Sequence, residues 1–114
     1  MIIQINTDAT LTGHEDRREA IKDVVSNALA HFSDRISRVE VHLSDEDGRG
    51  HAKNDVRCVM EVRMSGRNPE AVTHHASVVL DAVVGAAEKL CRALEHSLGR
   101  EQQHRRDSVR HPEA

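Results

Sequence analysis

Residues 37–45, SRVEVHLSD, alternate apolar and polar side chains and thereby set the class of the fold. Because successive side chains of a strand point to opposite faces, Val39, Val41 and Leu43 share one face and their polar neighbours share the other. Residues 56–64, VRCVMEVRM, repeat this pattern. The inner set of the second strand is Val56, Cys58, Met60, Val62 and Met64. Two such strands predict a mostly antiparallel sheet, covered on one face and solvated on the other.

Two further segments supply the remaining strands, one before and one after this pair. Residues 2–8, IIQINTD, begin in apolar sequence, and residues 70–76, EAVTHHA, follow a turn with the sequence SGRNP at 65–69. The polar stretch at 45–55, DEDGRGHAKND, contains two glycines and is predicted to be a loop. The first and fourth strands are therefore the candidates for exposed edges.

Two segments show the periodicity of amphipathic helices. The first follows a capping box formed by Thr12 and Glu15. Its apolar stripe comprises Ile21, Val24, Val25, Ala28, Leu29 and Phe32. The stripe of the second comprises Leu80, Val83, Val84, Ala87, Leu90, Cys91, Leu94 and Leu98. Gly85 within it indicates a close packing contact, since glycine in a helix interior costs about 1 kcal/mol relative to alanine. Gly99 is suited to a C-cap, and a helix that continues beyond it is the alternative.

The element order β-α-β-β-β-α defines an α+β fold. The economical arrangement is a four-stranded, mostly antiparallel sheet with both helices packed on one face. Residues 1–100 form a single domain in this interpretation. Residues 101–114, EQQHRRDSVRHPEA, contain almost no apolar side chain and are predicted to be a polar, disordered C-terminal tail.

Composition narrows the class of function. The 114 residues suit one small domain, and no apolar run approaches the roughly 18 residues that cross a membrane. The N-terminus lacks the features of a signal peptide, so we expect a cytoplasmic protein with reduced cysteines. A net charge of −3 argues against indiscriminate nucleic-acid binding. Because the chain has no Trp or Tyr, contacts to RNA would depend on cations and shape rather than on base stacking.

The adjacent histidines His74 and His75 are the first candidates for a metal site. A strand sends neighbouring side chains to opposite faces, so the two rings cannot both ligate one ion without distortion. Cys58 and Cys91 are far apart in sequence, and neither has the close partner typical of a structural zinc site. We therefore expect one of the two rings to face the core, the other to face solvent and no metal to be bound. A cluster of Cys58, Cys91 and the inward histidine is the one metal geometry that stays open.

Motifs of known catalytic sites are absent from the sequence. There is no G-x-S-x-G, Walker loop, G-x-G-x-x-G or H-E-x-x-H. A nucleophilic cysteine needs exposure and a neighbouring base, whereas both cysteines here lie on apolar stripes. The carboxylates at 45–47 do not have the spacing of a calcium loop. The sequence thus predicts no enzyme, no cofactor and no small-molecule substrate.

The second helix carries a row of cations, Lys89, Arg92, His96 and Arg100, which we call the basic ridge. Spacings of 3, 4 and 4 residues place all four on one side of a helix. The acidic residues of this helix, Asp81, Glu88 and Glu95, fall beside the ridge rather than within it. The first helix adds Arg17, Arg18 and Lys22, among several carboxylates. The ridge is either an ordinary solvated face or a surface that binds phosphates.

Two segments resemble one family. HFSDRISRVEVHLSDEDG at 31–48 resembles the ribosome hibernation promoting factor and ribosome-associated inhibitor A family. AAEKLCRALEHSLGR at 86–100 is similar to the closing helix of that family. The family's K-L-x-R-x-L core corresponds here to Lys89, Leu90, Arg92 and Leu94. The family also has the order β-α-β-β-β-α, and the similarity spans roughly residues 1–100. At this length the chain resembles the short form.

The resemblance implies a translation inhibitor that binds the small ribosomal subunit under stress. Family members lie between the head and body of the subunit, over the decoding region, and block transfer RNA and messenger RNA without catalysing a reaction. They contact ribosomal RNA phosphates mainly through basic residues of the two helices. His96 and His31 stand where the family commonly has lysine, and Ala28 replaces a basic residue. Alignment to the family also implies that His74, rather than His75, is the histidine that faces the helices. The candidate rRNA-binding residues are Lys89, Arg92, His96, Arg100, Lys22, Arg18 and His31.

The alternative function is a protein–protein regulatory module without direct RNA contact. The same family has also been labelled as sigma factor modulators, and the negative net charge suits a protein partner. The two functions differ in salt dependence, because phosphate binding weakens steeply as salt displaces it and an apolar interface does not. Neither the oligomeric state nor the direction of any effect on ribosome dimerisation follows from the sequence.

Overall fold

The structure is a computed structural model that describes residues 1–7, 17–45 and 56–109, with the last nine of these described as backbone only. Its elements are β1 (Ile2–Thr7), α1 (Arg18–Ala28), β2 (Ile36–Asp45), β3 (Val56–Met64), β4 (Glu70–Ala76) and α2 (Val79–Val109). The predicted element order is therefore confirmed. The expected capping box at Thr12 and Glu15, and most of the loop expected at 45–55, lie outside the described residues.

The four strands form one sheet in the order β1-β2-β3-β4. β1 pairs with β2 in parallel, because α1 returns the chain to the end of the sheet where β1 began. The other two pairings are antiparallel, as expected for most of the sheet. β1 and β4 are the edges, which places them on opposite sides of the central pair.

Both helices cover the same face of the sheet. The inward side chains of β2 and β3 alternate with exposed or half-buried ones, and Val39, Val41, Met60 and Val62 are fully buried. They form one cluster with residues from the helices, including Val25 from α1 and the set Ala82, Val83, Ala86, Leu90 and Leu94 from α2. The predicted inner set of β3 is buried throughout. The opposite face of the sheet carries the polar alternate positions.

Two features of the helices differ from the expectation. Val84 is 39% exposed, whereas the small residues Ala82 and Ala86 are fully buried, since they allow α2 to approach the sheet closely. Gly99 does not end the helix, because α2 continues to Val109 through residues that favour helix, such as Arg100 and Glu101. The backbone of residues 101–109 is thus helical. The division at residue 100 into a domain and a separate tail stays a prediction.

The first helix is shorter than its apolar stripe. α1 ends at Ala28 with Leu29 as its C-cap, and a single turn of 3₁₀ helix follows at Ala30–Phe32. Phe32 nevertheless packs against the core, and Leu29 is fully buried. The stripe therefore correctly identified residues that pack in the core, although the last of them lies beyond the α-helix.

Candidate nucleic-acid interface

The basic ridge lies on the side of α2 that faces the edge strand β4. All four of its side chains are exposed, while Leu90 and Leu94 of the same helix are buried against the sheet. The Lys89 ammonium donates a hydrogen bond of 2.8 Å to the backbone oxygen of Thr73 in β4. The ridge therefore begins beside the sheet edge. Its cations line a flank of the molecule that solvent can reach.

The acidic side of α2 faces the other helix. The Cys91 thiol donates a hydrogen bond of 2.8 Å to the backbone oxygen of Ala28 in α1. Glu88 and Glu95 flank Cys91 at i−3 and i+4, so they lie on this same side of α2. α2 consequently places Lys89 toward β4 and Glu88 and Glu95 on the side of Cys91, with Arg92 close enough to both carboxylates to act on the same thiol. The ridge gives a local basic surface to a protein whose net charge is −3.

The candidate cations of α1 lie at the opposite edge of the sheet. The Arg18 guanidinium donates a hydrogen bond of 3.0 Å to the backbone oxygen of Ile5 in β1. Lys22 follows four residues later on the same side of α1, and His31 lies in the 3₁₀ turn, where its ring makes an edge contact with Phe32. Three strand spacings separate β1 from β4, which amounts to about 14 Å. The structure thus brings the four ridge residues together and places Arg18 away from them.

His74 and His75 face opposite sides of the sheet, as alternation predicts, and His74 is the inward one, as the resemblance implies. His75 is exposed, and the His74 ring points toward α2, where a β-carbon on Gly85 would lie 2.7 Å from its Cγ. The predicted close contact at Gly85 is thus the contact with this ring. Cys58 is the cross-strand partner of His74, whereas Cys91 bonds to α1. Among the described residues no three histidines, cysteines or carboxylates form a metal-binding group, so the Cys–His–Cys cluster is not formed there.

The two cysteines differ in how they should react. Burial raises the pKa of the Cys58 thiol to about 12. Burial also raises the pKa of Cys91, and the carboxylates of Glu95 and Glu88 raise it further, whereas the positive charge of Arg92 lowers it. Since the thiolate is the reactive form, we expect iodoacetamide at pH 8 to label Cys91 slowly and Cys58 only after unfolding. Mass spectrometry of adducts with and without urea measures this order. Native labelling of Cys58 before Cys91 contradicts it.

A cleft between the turn joining β3 to β4 and the helix α2 was missed at the sequence level. Its volume is about 770 Å³, and we call it the turn cleft. It is lined by Gly66, Arg67, Asn68, Pro69, Glu70, Ser97 and Arg100. Arg100 belongs to the basic ridge as well, so the cleft continues the ridge. The segment SGRNP indicated a turn, but only the tertiary contact with α2 shows that its arginine joins the cationic side of the helix.

Among the described residues, neither helix is both long and apolar enough to cross a membrane.

No protein-family model matches the chain, and no curated protein matches it. Several solved structures are similar to it. The Thermus thermophilus Protein Y N-terminal domain aligns with a TM-score of 0.59 and 20% identity, over 84% of this chain and 98% of that one.

The second similar structure is a ribosomal subunit interface protein from Coxiella burnetii. It aligns with a TM-score of 0.64 and 16% identity, over 87% of this chain and 99% of its own. At these identities the alignments establish the fold. They agree with the fold expected from the resemblance to the ribosome hibernation promoting factor and ribosome-associated inhibitor A family. The chain therefore has the fold of the Protein Y N-terminal domain and of this ribosomal subunit interface protein.

Proposed function

We propose that the protein binds the small ribosomal subunit through its ribosomal RNA and inhibits translation by occupying the decoding region during stress. The observation that carries this proposal is the basic ridge, where Lys89, Arg92, His96 and Arg100 share one exposed flank of α2. Lysine and arginine bind phosphate oxygens through charge-assisted hydrogen bonds. Glu88 and Glu95 lie on the side of Cys91, away from an RNA strand that follows the β4 edge beside Lys89.

The position of the ridge makes the proposal more specific. Arg18 bonds to β1 and Lys89 bonds to β4, so these two cations lie at opposite edges of the sheet. We assign the main RNA contact to α2 and a secondary one to α1. The shared fold with a ribosomal subunit interface protein supports a ribosomal partner. A protein–protein module remains the competing function, with the same ridge meeting an acidic protein surface.

Sedimentation with purified ribosomal subunits tests the proposal. We expect the protein to pellet with small subunits and not with large ones. Counterion release requires that the affinity fall steeply between about 50 and 200 mM salt, with a slope proportional to the number of phosphates contacted. Failure to pellet with small subunits at low salt rejects the function. Pelleting that is indifferent to salt favours an apolar protein–protein contact.

The histidine in the ridge predicts a pH dependence. Imidazolium is a good phosphate partner and neutral imidazole a poor one, and histidine commonly changes its charge between pH 5 and 8. His96 lies one helical turn from both Arg92 and Arg100, so a proton on it extends the ridge. We expect affinity for small subunits to rise severalfold from pH 7.5 to 6, and His96→Ala to reduce this rise.

The matched control is His42→Ala. His42 lies on the open face of the sheet, where it pairs with Glu40 at 3.3 Å. This substitution should leave the pH dependence of binding unchanged. An identical pH profile for wild type and His96→Ala means that His96 does not contact phosphate.

A further inference from the structure

We propose that the turn cleft binds a phosphodiester of the RNA backbone that runs along the basic ridge. This inference rests on the proposed function and adds a site at the end of the ridge, where the turn between β3 and β4 meets α2. Its key members are Arg67 and Asn68 from the turn, and Ser97 and Arg100 from α2.

The geometry of the turn places Arg67 beside α2. The backbone N–H of Arg67 donates to the backbone oxygen of Met64 at 3.3 Å, which closes a four-residue turn. Gly66 has a φ of +76°. Residues other than glycine rarely adopt this backbone conformation, and type II turns require it at their third position. The turn therefore directs the chain after Gly66 back toward α2, and Arg67 and Arg100 line the same cleft.

A carboxylate inside the cleft holds the arginine in place. Glu70 lies 3.7 Å from the Arg67 guanidinium and accepts a hydrogen bond of 3.1 Å from the Ser97 hydroxyl. Only 22% of the Arg67 side chain and 24% of the Glu70 side chain are exposed. A guanidinium that is positioned in advance loses less conformational entropy when it binds a ligand. Glu70 thus orients Arg67, and it also cancels one of the two positive charges.

The remaining charge selects the ligand. Two guanidiniums and one carboxylate leave the cleft with a formal charge of +1, which a singly charged phosphodiester neutralises. A free phosphate dianion would meet the Glu70 carboxylate without sufficient compensation. The position of the cleft also favours an RNA phosphate, because Arg100 belongs to the basic ridge and lines the cleft as well. From Lys89 to Arg100 the helix rises about 16 Å, enough to follow several phosphates of one strand.

Three single variants test the cleft by fluorescence anisotropy of labelled protein with purified small subunits. Arg67→Gln should weaken binding about fivefold and lower the salt slope by about 1, as expected when one phosphate contact is lost. Glu70→Gln should strengthen binding severalfold, because it removes the opposing charge while its amide oxygen still accepts the Ser97 hydroxyl. Arg63→Gln is the matched control, since Arg63 pairs with Glu61 on the open face of the sheet.

The outcomes separate the cleft from the proposed function. If Lys89→Gln weakens binding while Arg67→Gln behaves like Arg63→Gln, the cleft is not a phosphate site and the proposed function stands. If wild type does not bind small subunits, both fail. Titration with inorganic phosphate alone, followed by the amide resonances of Gly66 and Ser97, should give no saturable shift. Saturation at submillimolar phosphate overturns the assignment in favour of a site for free phosphate.

Discussion

Replacement of Gly85 by alanine should destabilise the protein, although alanine favours helix over glycine by about 1 kcal/mol. The added β-carbon would lie 2.7 Å from Cγ of His74 and closer still to Cδ2 and Nε2. The whole ring would have to move, and it is confined between β4 and α2. Overpacking of this kind costs about 1–3 kcal/mol, and an overlap with three ring atoms belongs at the upper end. We expect a net loss of about 2 kcal/mol in the free energy of unfolding.

A double-mutant cycle identifies His74 as the cause. His74→Ala removes the ring, so Gly85→Ala in that background should stabilise the helix by about 1 kcal/mol. The coupling energy between the two positions is then about 3 kcal/mol, within the range seen for residues in contact. Urea unfolding followed by far-UV circular dichroism supplies these values, since the chain lacks Trp and Tyr as fluorescent probes.

Gly99→Ala is the matched control on the same helix. A β-carbon at Gly99 would have no neighbour within 4 Å, and the helix continues on both sides of it. This substitution should stabilise the protein by up to about 1 kcal/mol. If Gly85→Ala stabilises the protein as much as Gly99→Ala does, then His74 does not pack against Gly85.

The sheet could be predicted from the sequence because its signal is local. Alternation in residues 37–45 and 56–64 assigns each side chain to a face, and burial follows that assignment. The inward orientation of His74 and the close approach at Gly85 were predicted separately. The structure shows that the His74 ring is what packs closely against Gly85. Their pairing depends on how β4 lies under α2, which no local pattern specifies.

The limits of the sequence patterns have physical causes. Val84 was placed on the buried stripe because it is apolar, but α2 turns its small residues toward the sheet and leaves Val84 exposed at 39%. Gly99 is suited to a C-cap, yet the helix continues past it because the residues that follow favour helix. The turn cleft was missed because Arg67 and Arg100 are 33 positions apart and meet only in the fold.

Neutralising the basic ridge should have the largest effect on RNA binding. The triple substitution Lys89→Gln, Arg92→Gln and Arg100→Gln removes three exposed cations from one flank while leaving the buried stripe of α2 intact. A charge-assisted hydrogen bond contributes about 1.5 kcal/mol or more. Three of them predict a loss of about a thousandfold in affinity for small subunits. The slope of log K against log salt should fall by about 2 to 3, according to counterion release.

A second triple variant controls for total charge. Arg38, Arg57 and Arg63 lie on the open face of the sheet, and their replacement by Gln changes the net charge by the same three units. If binding depends on the location of the ridge, this variant should bind within about threefold of wild type, the effect of screened distant charges. Far-UV circular dichroism of both variants verifies that the fold is retained.

The comparison of the two variants distinguishes three mechanisms of binding. Selective loss in the ridge variant means that RNA follows the β4 flank of α2. Equal loss in both variants means that the protein responds only to its total charge, which is hard to reconcile with a net charge of −3 in the wild type. Unchanged binding by the ridge variant means that the ridge is an ordinary solvated face. Binding that also persists at high salt then indicates an apolar protein interface, because phosphate contacts cannot resist competing counterions.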